Sequence, residues 1–404
     1  MCLQIPGSYL AERVGGKWLF GGCILVSSVV SLLTPTAARI HISALILLRA
    51  LSGLGEGVLL PSVHVLVARW SPPEYRSLII SVVYSGMDSG CVVGMILSGV
   101  ICQYGFAGGW PSVFYVFGSV GCVWSTVWFL LCYNSPSTHP HISSAEREYW
   151  DRTTENTDSA VNVPVPWRHI VTSVPVWSLA IAYFVDNWGL VMIATCIPLF
   201  MYDVLGLSML DNGVFSGIPF LVSSVCDPLS GLLVDWLRSP ERLSTSFVRK
   251  IFCFTGFTVT AACFAVLSTV GCNPVVAVLA LCFATSGSAL SNPNVTSNVQ
   301  DLAPLYASEI MGLVYSVVNL GSIIAPLTVG ALTYEGSTRA EWRVVFYISV
   351  AVYATGAVVF AIFGSGNRQS WAECWTEIAD DSNTYELDST NSKQPADSAA
   401  KTTE

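Results

Sequence analysis

The chain has 404 residues, 52% of them hydrophobic and only 11% charged, with a mean hydropathy of +0.59. A soluble domain carries roughly 25% charged residues, so a water-soluble enzyme of this size is excluded. The net charge of −9 leaves basic residues too sparse for a nucleic-acid binder.

Residues 89–145 and 251–300 contain no Asp, Glu, Lys or Arg. A bilayer span takes about 20 apolar residues, so each window holds two spans and a turn. The chain therefore reads as an all-α polytopic membrane protein. Met1 to Lys17 is too short and too polar for a cleavable signal peptide, so none is expected before the first span.

In chain order, apolar runs bounded by charges, Pro or Gly predict ten spanning helices. They lie near 18–38, 44–68, 77–102, 112–133, 175–202, 212–236, 248–270, 275–300, 309–333 and 342–363. Placing the loops alternately puts fourteen Lys and Arg on one side and three (Arg39, Arg339, Arg343) on the other. By the positive-inside bias, both termini are then cytoplasmic. Residues 1–133 form an N-terminal transmembrane half and 175–363 a C-terminal one. Between them, 134–174 is a polar loop in which Ser143 and Glu146 predict a capping box before a short surface helix, AEREYWDR. The tail from Gly364 to Glu404 holds eight acids and three bases and reads as disordered. The thirteen cysteines include no CxxC pair, and most read as small apolar packing residues.

An ionisable side chain at the bilayer centre costs at least about 2.5–3.5 kcal/mol. Arg49, Glu56, Asp88 and Asp186 bear that cost most plainly, with Asp227 and Asp301 nearer helix ends. Arg49 and Glu56 stand seven residues apart, about two helical turns, and so share a face. A fixed guanidinium grips a carboxylate or phosphate bidentately, and a glutamate beside it can load and release a proton. This pair is what an anion–proton symporter requires; the competing readings are an ion pair, or an arginine reaching out to the interface. His64 is either a proton relay or a packing histidine. Asp88, one turn after Tyr84, is either a second proton site or a partner for Arg49. The Gly86, Gly90, Gly94 ladder around it reads as small-xxx-small helix packing. Asn292, Asn294 and Asn298 offer neutral hydrogen bonds to a substrate, while Trp188 and Tyr183 read as packing or cavity lining. No Ser/His/Asp, metal-ligand or phosphate-loop pattern stands out, so no enzyme, metal or cofactor is expected.

The two halves echo each other. Gly7 to Arg13 with Lys17 precedes one span, and Gly231 to Arg238 with Arg249 and Lys250 links two others. This paired loop signature resembles the major facilitator superfamily, whose halves repeat in this way. Longer stretches resemble its anion-transporter family, which holds sialin, the vesicular glutamate transporters and the sodium–phosphate cotransporters. They include GGKWLFG (15–21), LLRALSGLGEG (47–57), RWSPPEYRS (69–77), GWPSVFYVFGSVG (109–121), DLAPLYAS (301–308), EWRVVFYI (341–348) and FGSGNRQSWA (363–372). The resemblance implies that the ten spans are family helices 3 to 12. Helix 1 and most of helix 2 then have no counterpart, which implies either an incomplete gene model or a short, non-transporting isoform.

The family further implies a secondary active transporter of small organic anions, of sialic acid or acidic amino acid type. It would be driven by protons or membrane potential, with Arg49 on substrate and Glu56 on the proton. A sodium-coupled phosphate transporter is the alternative. The substrate set is Arg49, Asn292, Asn294, Asn298 and Asp186; the proton set is Glu56, Asp88 and His64. Asp186 falls where glutamate-transporting members carry arginine, and Val299 where the family carries histidine. The family's membranes are lysosomal, vesicular or plasma membranes.

Overall fold

The computed structural model describes residues 13–70, 76–134, 139–140, 142–143, 165–238, 243–270, 273–303, 306–334 and 336–372. Among them it shows thirteen α-helices and no strand. The helices are α1 (Gly16–Ile40), α2 (Ile42–Glu56), α3 (Leu59–Trp70), α4 (Arg76–Tyr104), α5 (Trp110–Leu131) and α6 (Trp167–Thr172). They continue with α7 (Val174–Val191), α8 (Ile197–Asp203), α9 (Met209–Arg238), α10 (Thr245–Thr269), α11 (Pro274–Leu302), α12 (Ala307–Leu332) and α13 (Arg339–Phe363). A backbone without water must satisfy its own hydrogen bonds, which is why apolar runs of this length become helices. Many large apolar side chains point outward, among them Leu130, Leu232, Phe283 and Leu327, as on a surface that lipid covers.

Nine stretches among the described residues are long and apolar enough to cross a membrane. The tenth predicted span, 44–68, is broken. α2 ends at Glu56, and α3 begins at Leu59 after a turn at Gly57 and Val58. The physical reason is Gly53, Gly55 and Gly57 in close succession, each costing a helix about 1 kcal/mol relative to Ala. The Val58 N–H closes a tight bond to the Gly55 carbonyl at 3.3 Å in place of a helical one.

α7 and α8 form one 30-residue span, Val174–Asp203. A π-helical turn, Met192–Cys196, joins them just before Pro198. Proline removes an N–H and crowds the preceding turn, and the widened π turn accommodates it.

The helices pack as two groups. α1 packs on α2, α3 and α5 in the first; α7, α9, α10, α11, α12 and α13 interlock in the second, where the large buried core lies. α4 lies along α9 and joins the groups. Small residues set the crossings. A Cβ at Gly99 would lie 2.8 Å from the Met209 carbonyl and 3.0 Å from the Cα of Gly213, so α4 and α9 touch backbone to backbone. Gly256 against Gly287 does the same for α10 and α11. The predicted packing ladder Gly86, Gly90, Gly94 is a misreading, for all three face open space. Small residues permit a close approach; a partner on that face decides whether one occurs.

Glu146, its surface helix and the tail beyond Ala372 lie outside the described residues, as does the loop before Arg13. The first part of the segment expected to be disordered is instead docked. The Gly366 N–H donates to Ser246 Oγ at 2.8 Å, and the Gln369 N–H donates to the Leu302 carbonyl at 2.9 Å. Trp371 lies against Tyr306, with ring centroids 6.2 Å apart.

Candidate functional site

α2 starts at its cap His41, whose Nδ1 accepts from the Ser43 N–H at 3.1 Å. From there the helix carries Arg49 and Glu56 on one face. Arg49 is exposed, and its guanidinium carbon lies 5.1 Å from the centroid of the Phe114 ring on α5. A cation–π contact of this kind is worth about 0.5–1 kcal/mol at an exposed site, and it orients the guanidinium without neutralising it. Glu56, exposed at the α2–α3 break, accepts from Ser52 Oγ at 2.9 Å and from Ser27 Oγ on α1 at 3.3 Å. Among the described residues Arg49 pairs with no carboxylate, so neither Glu56 nor Asp88 neutralises it. An oriented, unpaired guanidinium can take an anion bidentately. The side chain of His64, on α3, lies outside the described residues.

A second line of charge crosses from one helix group to the other. Asp88 on α4 is half-buried and lies within electrostatic range of Asp227 on α9. Asp227 accepts from Ser223 Oγ at 3.1 Å, and its other oxygen is buried without a partner among the described residues. Asp227 in turn lies within electrostatic range of Asp186 on α7, which accepts from Ser291 Oγ on α11 at 3.2 Å. Contrary to the expectation for Asp227, it sits well inside its helix rather than near an end. Asp88 on α4, Asp227 on α9 and Asp186 on α7 thus form a run of neighbouring carboxylates.

The asparagines of α11 divide. Asn292 is exposed and accepts from Thr296 Oγ1 at 3.1 Å. Asn294 is fully buried; it accepts from Arg249 Nη1 at 3.2 Å and donates to the Leu290 carbonyl at 2.9 Å. Asn298 is fully buried, and neither of its amide atoms has a partner among the described residues. Arg249 on α10, 2% exposed, holds Asp301 through Nε at 2.9 Å and Nη2 at 2.8 Å. Sequence reasoning counted Arg249 only as a loop charge. Yet α10 and α11 are consecutive antiparallel helices, which places a base at the start of one beside an acid at the end of the next. Trp188 is buried and donates to Ser349 Oγ at 3.1 Å; Tyr183 stands edge-on to Tyr315, at 6.2 Å between centroids. Phe114, Ser27 and Ser291 were also missed, because nothing local marks a side chain that serves a residue on another helix; Ser52, one turn before Glu56 on the same helix, was legible from its spacing.

A sequence model of the Major Facilitator Superfamily matches residues 1–309. The chain is 37% identical to human sialin over 369 residues, covering 91% of this chain and 74% of sialin. It is 38% identical over 375 residues to vesicular glutamate transporter 3 of Danio rerio, covering 92% of this chain but only 62% of that protein. Human vesicular glutamate transporter 2 is 37% identical, with 92% and 63% covered. Among solved structures, a bacterial homologue of the human lysosomal transporter Spinster shares the fold at 15% identity and a TM-score of 0.69, over 89% of this chain and 85% of that one. A D-xylose–proton symporter does so at 14% identity and a TM-score of 0.69, over 91% and 85%. Helices joined along α4 and α9, motifs shared along nearly the whole chain and the family match lead to one conclusion: the chain belongs to the major facilitator superfamily, beside sialin and the vesicular glutamate transporters.

Proposed function

We propose that the protein is a secondary active transporter of small organic anions of the sialic acid or acidic amino acid type, working by alternating access. The observation that carries this reading is Arg49, exposed, unpaired among the described residues and steadied on Phe114, with Glu56 on the same helical face. Arg49 binds the substrate carboxylate through two parallel N–H donors. Glu56 takes the coupling proton, its two serine donors holding the carboxylate toward the same face. Asp88 serves as a second proton site, and Asn292 offers the substrate an uncharged amide. The two helix groups rock about the α4–α9 seam, where Gly99 and Gly213 meet. Both termini face the cytoplasm, on the fourteen-to-three division of basic residues. The membrane is lysosomal, vesicular or plasma membrane.

The test is uptake of radiolabelled sialic acid, glutamate, aspartate and phosphate into proteoliposomes, with and without an imposed pH gradient. Gradient-stimulated flux of an organic anion supports the reading; absence of any flux refutes it. A sodium-coupled phosphate transporter is the second reading, favoured by the neighbouring carboxylates Asp88, Asp227 and Asp186. Replacing sodium with choline separates the two.

A further inference from the structure

The first turn of α1 gathers basic and aromatic groups that the transport reading does not use. Gly15, at φ 95°, caps the helix without a side-chain acceptor of its own, and no acid stands in the first turn. The Lys17 N–H donates instead to Asn134 Oδ1, just past the end of α5, at 2.9 Å. A Cβ at Gly15 would lie 2.6 Å from that oxygen, so glycine both takes the positive φ and admits the asparagine. The Trp128 indole donates to the Lys17 carbonyl at 3.0 Å, and Trp70, at the end of α3, donates to the Tyr133 carbonyl at 3.0 Å. The ends of α1, α3 and α5 thus meet around one lysine.

That lysine is 9% exposed. Its Nζ lies 4.9 Å from the centroid of the Tyr133 ring and 5.1 Å from that of Trp18. Among the described residues no carboxylate pairs with it. The two rings orient the ammonium but leave its charge whole. A buried charge is normally paired, because desolvating it alone is costly. The N-terminus of α1 adds partial positive charge beside it, and Arg13, exposed, stands four residues earlier. A basic side chain at a helix start without an acid is an anion site, and phosphate is the anion such a start suits.

We infer that Lys17, at the start of α1 with Asn134 as its cap, binds the phosphate of an anionic phospholipid headgroup in the leaflet it faces. The inference stands apart from the transporter reading and requires no particular substrate.

Two observations favour a lipid over a dissolved anion. Trp18 is 54% exposed and stacks on Phe129 with centroids 5.5 Å apart, and Trp124, Leu130 and Leu131 nearby are exposed as well. The ammonium therefore sits at the border of an apolar surface, where tryptophan and lysine mark a membrane interface. Lys17 also belongs to the side that gathers fourteen Lys and Arg against three, the side on which anionic lipid attracts basic residues.

The test is native mass spectrometry of the full chain released from nanodiscs of equimolar phosphatidylcholine and phosphatidylglycerol. The parent chain should retain phosphatidylglycerol about fivefold over phosphatidylcholine, the preference that one basic residue gives at an anionic surface. Lys17→Met should lose that preference, and Lys17→Arg should keep it. Arg168→Gln, which removes an exposed base from α6, should leave it unchanged. Equal retention of the two lipids by the parent chain overturns the inference. So does a preference that survives Lys17→Met, or one that Arg168→Gln lowers as much. Inorganic phosphate in the buffer should not release the bound lipid; release by phosphate but not by chloride at equal ionic strength assigns the site to a dissolved anion and overturns the lipid source. Should Lys17→Met not fold, Trp18→Leu decides. Loss of one ring should weaken retention about two- to fivefold, and unchanged retention overturns the inference.

Discussion

Asp301→Ala removes the hydrogen bond from Arg249 Nε at 2.9 Å and the ion-pair contact of Nη2 at 2.8 Å, and leaves the guanidinium, 2% exposed, with the 3.2 Å bond to Asn294. Charge-assisted bonds contribute about 1.5–3 kcal/mol each. Breaking a buried pair by deleting one partner costs about 3–5 kcal/mol, because an uncompensated charge is left behind. The lower part of that range is expected, since Arg249 is 2% exposed but Asp301 is 17% exposed. Asn294→Ala, removing one bond to the same guanidinium, should cost about 1.5–3 kcal/mol. The double variant Arg249→Met with Asp301→Leu removes both charges and should recover most of the loss. Denaturant or thermal unfolding of the nanodisc-embedded protein provides the comparison. An Asp301→Ala loss below about 1 kcal/mol, or a double variant as unstable as the single, would refute the claim that the charge is buried and costly when unpaired.

Four further outcomes follow from the same geometry. Gly99→Leu should disrupt the α4–α9 seam and cost about 1–3 kcal/mol by overpacking, whereas Gly90→Ala, which meets open space, should change stability by less than about 0.5 kcal/mol; paired unfolding curves check this. Arg49→Ala should abolish anion uptake and Arg49→Lys should lower it sharply, because lysine lacks the planar fork. Glu56→Gln should keep substrate exchange but lose its stimulation by a pH gradient, as proteoliposome counterflow and uptake can establish. Trp371→Ala, which empties the docked segment's place against Tyr306, should cost about 2 kcal/mol, less than the about 3–5 of a fully buried tryptophan; thermal midpoints before and after the change measure it.

Several parts of the site were legible because their signal is local. Arg49 and Glu56 need only helical periodicity to share a face, and an ionisable group in an apolar run announces itself by its cost. The break at Gly57 was also written locally, in three glycines, but hydropathy averaged it away. Asp186 was visible as an acid in an apolar run, while Ser291, which donates to it, stands far along the chain and carries no mark of doing so. The Gly86 ladder shows the converse error: a small-residue pattern was present, and the close approach it permits occurs instead at Gly99.

Composition and sequence thus determined the solvent, the helical class, the family and the shared face of Arg49 and Glu56, because each follows from residues adjacent in the chain or one or two helical turns apart. Tertiary structure alone decided which carboxylates are neighbours, which arginine is sequestered and which is left open, and which hydroxyl serves Asp186. Those depend on helix rotation and crossing. Small residues permit many such arrangements, and a single packed bundle selects one.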